Sequence, residues 1–130
     1  NTDAEGRMIL ADAIAYADRY NPEVIIAAAT LTGAALIVAG NQASCIMGNA
    51  DQKVMDQLIE SGAKTYERLV QLPFWDDYKE LLKSPVADMS NVHLDIAGPA
   101  FYEKKVNYKG IGGTGTGVRT LSDFFAHYKG

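Results

Sequence analysis

From Ala4 to Tyr20 the chain alternates apolar and polar residues with the period of a helix. Met8, Ala11 and Ala15, with Ile14 beside them, line one side, and Asp12, Asp18 and Arg19 fall on the other. Asn21-Pro22 ends this helix, because the residue before a proline is pushed out of helical geometry. At its start, Thr2 followed three residues later by Glu5 fits a capping box. The pattern then changes to EVIIAAAT, Glu23 to Thr30, a continuous apolar run bounded by Pro22 and TLTG. Such a run predicts a strand in a sheet covered on both faces. GAALIVAG, Gly33 to Gly40, predicts a short buried helix, and Ala43 to Met47 a second strand. Asp51 to Leu69 is a second long helix, with Val54, Met55, Leu58 and Ile59 on one face. Pro73 to Lys83 predicts a third, opened by a proline where no internal donor is lost. Ser84 to Asn91 reads as irregular, and Val118 to Tyr128 as a closing helix. The order helix, strand, helix, strand, helix, helix implies an α/β fold. No strand feeds the first helix, so a further N-terminal portion is expected.

Length and charge narrow this picture. The 130 residues suit a single domain with one core, and 48% apolar with 22% charged residues is ordinary for a globular chain. The net charge of −4, without a Lys/Arg cluster, argues against nucleic acid or anionic membrane as a partner. Cys45 is the only cysteine, so no internal disulfide and no multi-cysteine metal site can form. The longest apolar run, Val24 to Ala39, is interrupted by Thr30, Thr32 and Gly33 and is short for a membrane span. With no signal-peptide pattern visible, a soluble, cytoplasmic location is expected.

Three stretches offer candidate chemistry. In NTDAEGR, Asp3 and Glu5 lie two apart at a turn into a helix, where both carboxylates can face one crevice and bind divalent cations. Arg7 is then placed to meet an oxyanion. From spacing alone, helix capping and ordinary surface charge are the favoured account of the same residues, because short acidic pairs are common. Gly110, Gly112 and Gly115 match G-x-G-x-x-G, but no strand is expected after the last helix to complete a dinucleotide-binding unit. A turn packed against a neighbour is the expected role. His93 and Asp95 would share a face on a strand, and His127 falls near a helix C-terminus that favours an imidazolium. Ser44, Ser90 and Ser122 lack the setting of a nucleophile.

Taken together, four blocks in order resemble the leucyl aminopeptidase family of two-metal metallopeptidases: NTDAEGR at the start, ATLTGA at Ala29 to Ala34, HLDIAGPA at His93 to Ala100, and GGTGTGVRTL at Gly112 to Leu121. The resemblance spans essentially the whole chain. It implies that residues 1–130 are the C-terminal part of a mixed-sheet, zinc-exopeptidase-like α/β catalytic domain with helices on both faces. It further implies two divalent ions, zinc or manganese, that activate water to release leucine-like N-terminal residues from peptides. By this resemblance Asp3 is a metal ligand, Glu5 bridges both metals, and Arg7 steadies the tetrahedral intermediate, with bicarbonate a further candidate ligand. Thr30, Leu31 and Gly33 would bind the peptide through backbone groups, and Ala97 and Ala100 would wall the pocket for its first side chain. A homohexamer is implied for the full-length protein.

Two departures matter. The family often has an acidic residue shortly before ATLTGA, where this chain has Ala27 and Ala28. The family's other site residues, two lysines and two aspartates, lie upstream of NTDAEGR. The isolated chain is therefore expected to bind metal weakly and to have little or no peptidase activity. The alternative function is a non-catalytic fold or assembly module derived from an aminopeptidase.

Overall fold

The computed structural model describes residues 5–77, 91–103 and 110–130. Along the chain the elements are helix α1 (Glu5–Asp18), strand β1 (Ile25–Ala29), helix α2 (Ala34–Ala39), strand β2 (Ala43–Gly48) and helix α3 (Gln52–Lys64). They continue with strands β3 (Arg68–Gln71), β4 (Asn91–Asp95), β5 (Phe101–Tyr102) and β6 (Gly112–Gly113), and end with helix α4 (Val118–His127). The main sheet has the order β1-β4-β2-β3, and β5 pairs with β6 separately. β1 runs parallel to β4 and β2 parallel to β3, while β2 and β4 are antiparallel. The fold is thus α/β with a mixed sheet, as expected.

Register sorts the side chains. Ile46 sits opposite Leu94, and Val92 is two residues from Leu94 on the same face. These three pack with Val54, Met55 and Leu58 of α3 and Phe124 of α4 to form the core. The opposite face carries Cys45 against Asp95 and Met47 against His93. There α2 lies close, with the Cys45 thiol 4.0 Å from the Ala35 carbonyl oxygen. Burial and the neighbouring Asp95 charge both push the Cys45 thiol up, so it stays protonated.

Helix α3 starts where its sequence says it should. Asp51 caps it, accepting from the Lys53 amide at 2.9 Å. Its end differs from the expected Leu69. After Lys64, the Thr65 hydroxyl bonds back to the Ser61 carbonyl at 2.8 Å and Tyr66 turns left-handed at φ 59°. The Glu67 amide then reaches the Gly62 carbonyl at 2.9 Å. A Cβ on Gly62 would lie 2.6 Å from the Glu67 carbonyl oxygen, so glycine permits the return that makes Arg68–Gln71 a strand.

Other expectations are corrected in detail. α2 forms, but only Ala35 is buried; Leu36, Ile37 and Val38 are 50%, 86% and 59% exposed. It is too short to bury more than one side against β2. In α1, Met8, Ala11 and Ala15 face outward, and the half-buried stripe is Leu10, Ile14 and Ala17. That is the side turned to β1, the sheet strand against which α1 packs. The helix stops ahead of Pro22 as the sequence predicts, but at Asp18 rather than Tyr20, with Asn21 left-handed at φ 47°. Of the helix expected from Pro73 to Lys83, Pro73–Trp75 is irregular and Asp76–Asp77 form a short 3-10 turn; the remainder lies outside the described residues. So does most of the irregular stretch expected from Ser84, although its last residue, Asn91, opens β4.

The start of α4 is anchored by one buried side chain. Glu67 Oε2 accepts from the amides of Gly117 at 3.1 Å and Thr120 at 2.9 Å, and from the Thr120 hydroxyl at 3.0 Å. Its Oε1 takes the Arg119 Nε at 2.9 Å. Burial alone would raise the Glu67 carboxyl, but the bonds from Thr120 and Arg119 outweigh it and hold the group below its ordinary range. His93 shifts downward for a different reason. Burial disfavours its imidazolium more than nearby Asp95 favours it, and both ring nitrogens are buried without a hydrogen-bond partner among the described residues.

Glu67→Ala is expected to cost about 2–4 kcal/mol, because the amides of Gly117 and Thr120 and the Arg119 guanidinium lose their acceptor. Urea denaturation checks this; a midpoint equal to that of the unsubstituted protein would exclude the anchoring role. Glu67→Gln, which keeps one acceptor oxygen, should lose less. Both His93 and Glu67 bind protons more weakly folded than unfolded, so stability must fall on acidification. The His93 part is complete above its unfolded value near 6.5 and erodes as pH drops below it; the Glu67 part is complete above about 4.5 and erodes further down. Urea midpoints measured from pH 8 to pH 4 should therefore decline in two stages, with the first missing in His93→Leu. Identical profiles for His93→Leu and the unsubstituted protein between pH 7 and pH 5 would refute the assignment.

Candidate functional site

Because β1 and β4 are adjacent and parallel, the loops that leave their carboxyl ends emerge side by side. Ala29 pairs with Asp95, and the Ile96 amide extends the ladder to the Ala29 carbonyl at 3.0 Å. The first loop holds Thr30, Leu31 and Gly33; the second holds Ala97 and Ala100. Residues more than sixty positions apart in sequence are brought to one end of the sheet by this register.

The first turn of α1 adjoins the same place. A Cβ on Gly6 would stand 3.3 Å from Leu31 Cδ1, so α1 begins against the first loop. Glu5 opens the helix and Arg7 is exposed in its first turn. Asp3 lies outside the described residues, as does Thr2 of the expected capping box. Among the described residues no group of three His, Cys, Asp or Glu side chains is arranged to hold a metal ion. Asp3 and Glu5 offer the hard oxygen donors that divalent cations prefer, but two carboxylates cannot fill two coordination spheres.

Within the first loop Thr30 is exposed and Leu31 half-buried. Gly33 has ordinary right-handed angles, φ −58° and ψ −28°, and a Cβ there would meet nothing within 4 Å. Neither conformation nor packing demands glycine at this position. The second loop is built more tightly. Asp95, buried at the end of β4, accepts from the Ala97 amide at 3.1 Å, and the Ala100 amide bonds to the Ile96 carbonyl at 3.0 Å. Gly98 is buried so close to Gly40 that a Cβ would collide with the Gly40 carbonyl oxygen. Ala97 and Ala100 are half-buried, and both belong to this fixed turn.

The remaining candidates have structural settings. His93 and Asp95 do share a face of β4, as their spacing predicts, with His93 beside Met47 and Asp95 beside Cys45. His127 occupies the last turn of α4, its Nδ1 2.8 Å from the Asp123 carbonyl oxygen. Ser44 is buried in β2 and Ser122 is exposed on α4, while Ser90 lies outside the described residues. The glycine loop enters α4, but the helix-end amides that would cradle a phosphate already point at Glu67. The dinucleotide reading fails on that occupancy. Spacing had not singled out Thr114 and Thr116, whose hydroxyls lie 2.6 and 3.1 Å from the Pro99 carbonyl oxygen. They sit inside the GGTGTGVRTL block, which was their one visible signal.

Comparison with known proteins identifies the family. Residues 1–93 match the family model described as "Cytosol aminopeptidase family, catalytic domain". A "Probable cytosol aminopeptidase" of Geobacter sp. (strain M21) is 43% identical over 148 aligned positions, covering 95% of this chain and 30% of that protein. Proteins of the same name from Chlorobaculum tepidum and Nitrosomonas europaea are 44% and 40% identical, again over 95% of this chain and 29% of their own length. The chain thus spans about 30% of the curated relatives that it matches. On the family match and these identities, the chain belongs to the cytosol aminopeptidase family.

Proposed function

We propose that the native protein carrying these residues is a cytoplasmic, metal-dependent aminopeptidase that releases leucine-like residues from peptide N-termini. The observation that carries this reading is the meeting of α1, the Thr30–Gly33 loop and the Ala97–Ala100 turn at the carboxyl end of the β1–β4 pair. In open α/β sheets such a crevice is where ligands bind.

The roles divide as follows. Asp3 and Glu5 would hold two divalent ions together with ligands that these 130 residues do not supply. When bound, the ions would supply Lewis-acid activation of water, with zinc or manganese the fitting choices. Arg7 would lend positive charge to the oxyanion that forms at the scissile carbonyl, directly or through a bound bicarbonate. Thr30, Leu31 and Gly33 would align the peptide backbone, and the open space beside Gly33 leaves room for its approach. Ala97 and Ala100 present small side chains, which suit a wall that admits a branched apolar residue. Backbone contacts and a small-residue wall read the first side chain while ignoring the rest of the peptide. No helix among the described residues is long and apolar enough to cross a membrane. The exposed Met8, Ile9, Leu36 and Ile37 suit burial against further protein, in keeping with a homo-oligomer.

The test is hydrolysis of leucine anilide by the native protein with added manganese or zinc. Turnover that disappears with a chelator and returns with metal is expected, and absence of turnover at any metal concentration would overturn the reading. Asp3→Asn and Glu5→Gln should each lower kcat by about 100-fold or more, on the scale of removing a group that acts mainly on the transition state. The 130 residues alone should show little or no turnover.

A further inference from the structure

We infer that Thr114 and Thr116 are positioning residues for substrate selectivity: they strap the Pro99–Ala100 turn, and so set the width of the pocket for the first side chain. This rests on the aminopeptidase reading above.

The turn is pinned on one side by β4, through the Asp95 bond to the Ala97 amide and the Ile96 bond to the Ala100 amide. On its other side every described bond comes from the glycine-rich block. The Thr114 hydroxyl donates to the Pro99 carbonyl at 2.6 Å, and the Thr114 amide donates to the Ala100 carbonyl at 2.9 Å. The Thr116 hydroxyl stands 3.1 Å from the same Pro99 oxygen and 2.8 Å from the Thr114 hydroxyl. A carbonyl oxygen has two lone pairs, so it can receive both protons. Pairing of Phe101 with Gly113 and Tyr102 with Gly112 carries the clamp past Ala100.

The strap is itself held at a fixed distance. Gly115 and Gly117 are left-handed at φ 66° and 94°, which bends the block back before α4 begins. Gly117 then meets the buried Glu67 carboxylate through its amide. Loosening the strap would let Ala100 shift while the β4 side of the turn stays in register. A pocket wall that moves by a few tenths of an ångström alters discrimination between side chains differing by a few methylenes. It would leave the water-activating end of the site untouched.

The test measures kcat/KM of the native protein for leucine and alanine anilides. In Thr114→Val the ratio of the two should fall by about tenfold, the scale of one lost hydrogen bond. Thr114→Ser, which retains the hydroxyl, should restore it to within about twofold. A merely structural role would lower both substrates together through the folded fraction and leave the ratio fixed. If the unsubstituted protein cleaves neither anilide, the aminopeptidase reading falls and this inference with it. If it cleaves leucine anilide and Thr114→Val keeps the ratio, only this inference falls. Should Thr114→Val fail to fold by circular dichroism, Thr116→Val decides, with a ratio lowered roughly threefold in support and an unmoved ratio against.

Discussion

A carboxylate taken out of water costs several kcal/mol unless hydrogen bonds offset the lost solvation. In this chain Glu67 meets that demand with donors from Gly117, Arg119 and Thr120. The consequence reaches well beyond one residue. Glu67 sits between α3 and β3, so its position is fixed by the tight return through Gly62 and Tyr66. Its partners open α4, so that return also determines where the last helix begins. From there the glycine-rich block reaches Pro99 and Ala100, and the site end of the sheet inherits a geometry set on the scaffold side.

The local rules of helix formation were readable in the residues. Val54, Met55, Leu58 and Ile59 announce α3, and the Asn21-Pro22 pair stops α1. What could not be read were features created by contact. β3 looks like a continuation of α3, because Leu69 keeps the helical spacing; the break comes from the Thr65 and Tyr66 turn, whose close return onto the helix Gly62 permits. β4, one of two strands bonded on both edges, is five residues long and shows mainly as Val92 and Leu94 alternating with His93 and Asp95. A signal that brief cannot be separated from a loop until β1 and β2 supply its partners. The face assigned to α1 missed for a related reason. Its apolar residues nearly encircle the helix, so the stripe that counts is chosen by β1.

Legibility of the site followed the same division. Asp3, Glu5 and Arg7 drew attention through spacing, yet spacing alone favoured a cap and surface charge over a metal site. The four ordered blocks resolved the family, and the family match over residues 1–93 agrees with them. No property of either loop in isolation says that the loops holding Leu31 and Ala97 leave the sheet side by side. That follows from the parallel pairing of Ala29 with Asp95, a fact of register rather than composition.

The two ends of the sheet differ in how well folding explains their residues. On the scaffold side the unusual features have structural causes: Gly62 for the close return and Glu67 for the start of α4. In the loop that leaves the carboxyl end of β1 this correspondence lapses. Gly33 has no conformational need to be glycine and faces open space, and Thr30 is exposed at the mouth of the loop. Residues that a fold does not require, gathered where an α/β sheet presents its crevice, are where chemistry is expected to be stored. The apolar wall joins the two halves. On the proposed reading Ala97 and Ala100 wall the pocket while Asp95, Thr114 and Thr116 hold their turn, so side-chain preference would be controlled by residues standing behind it.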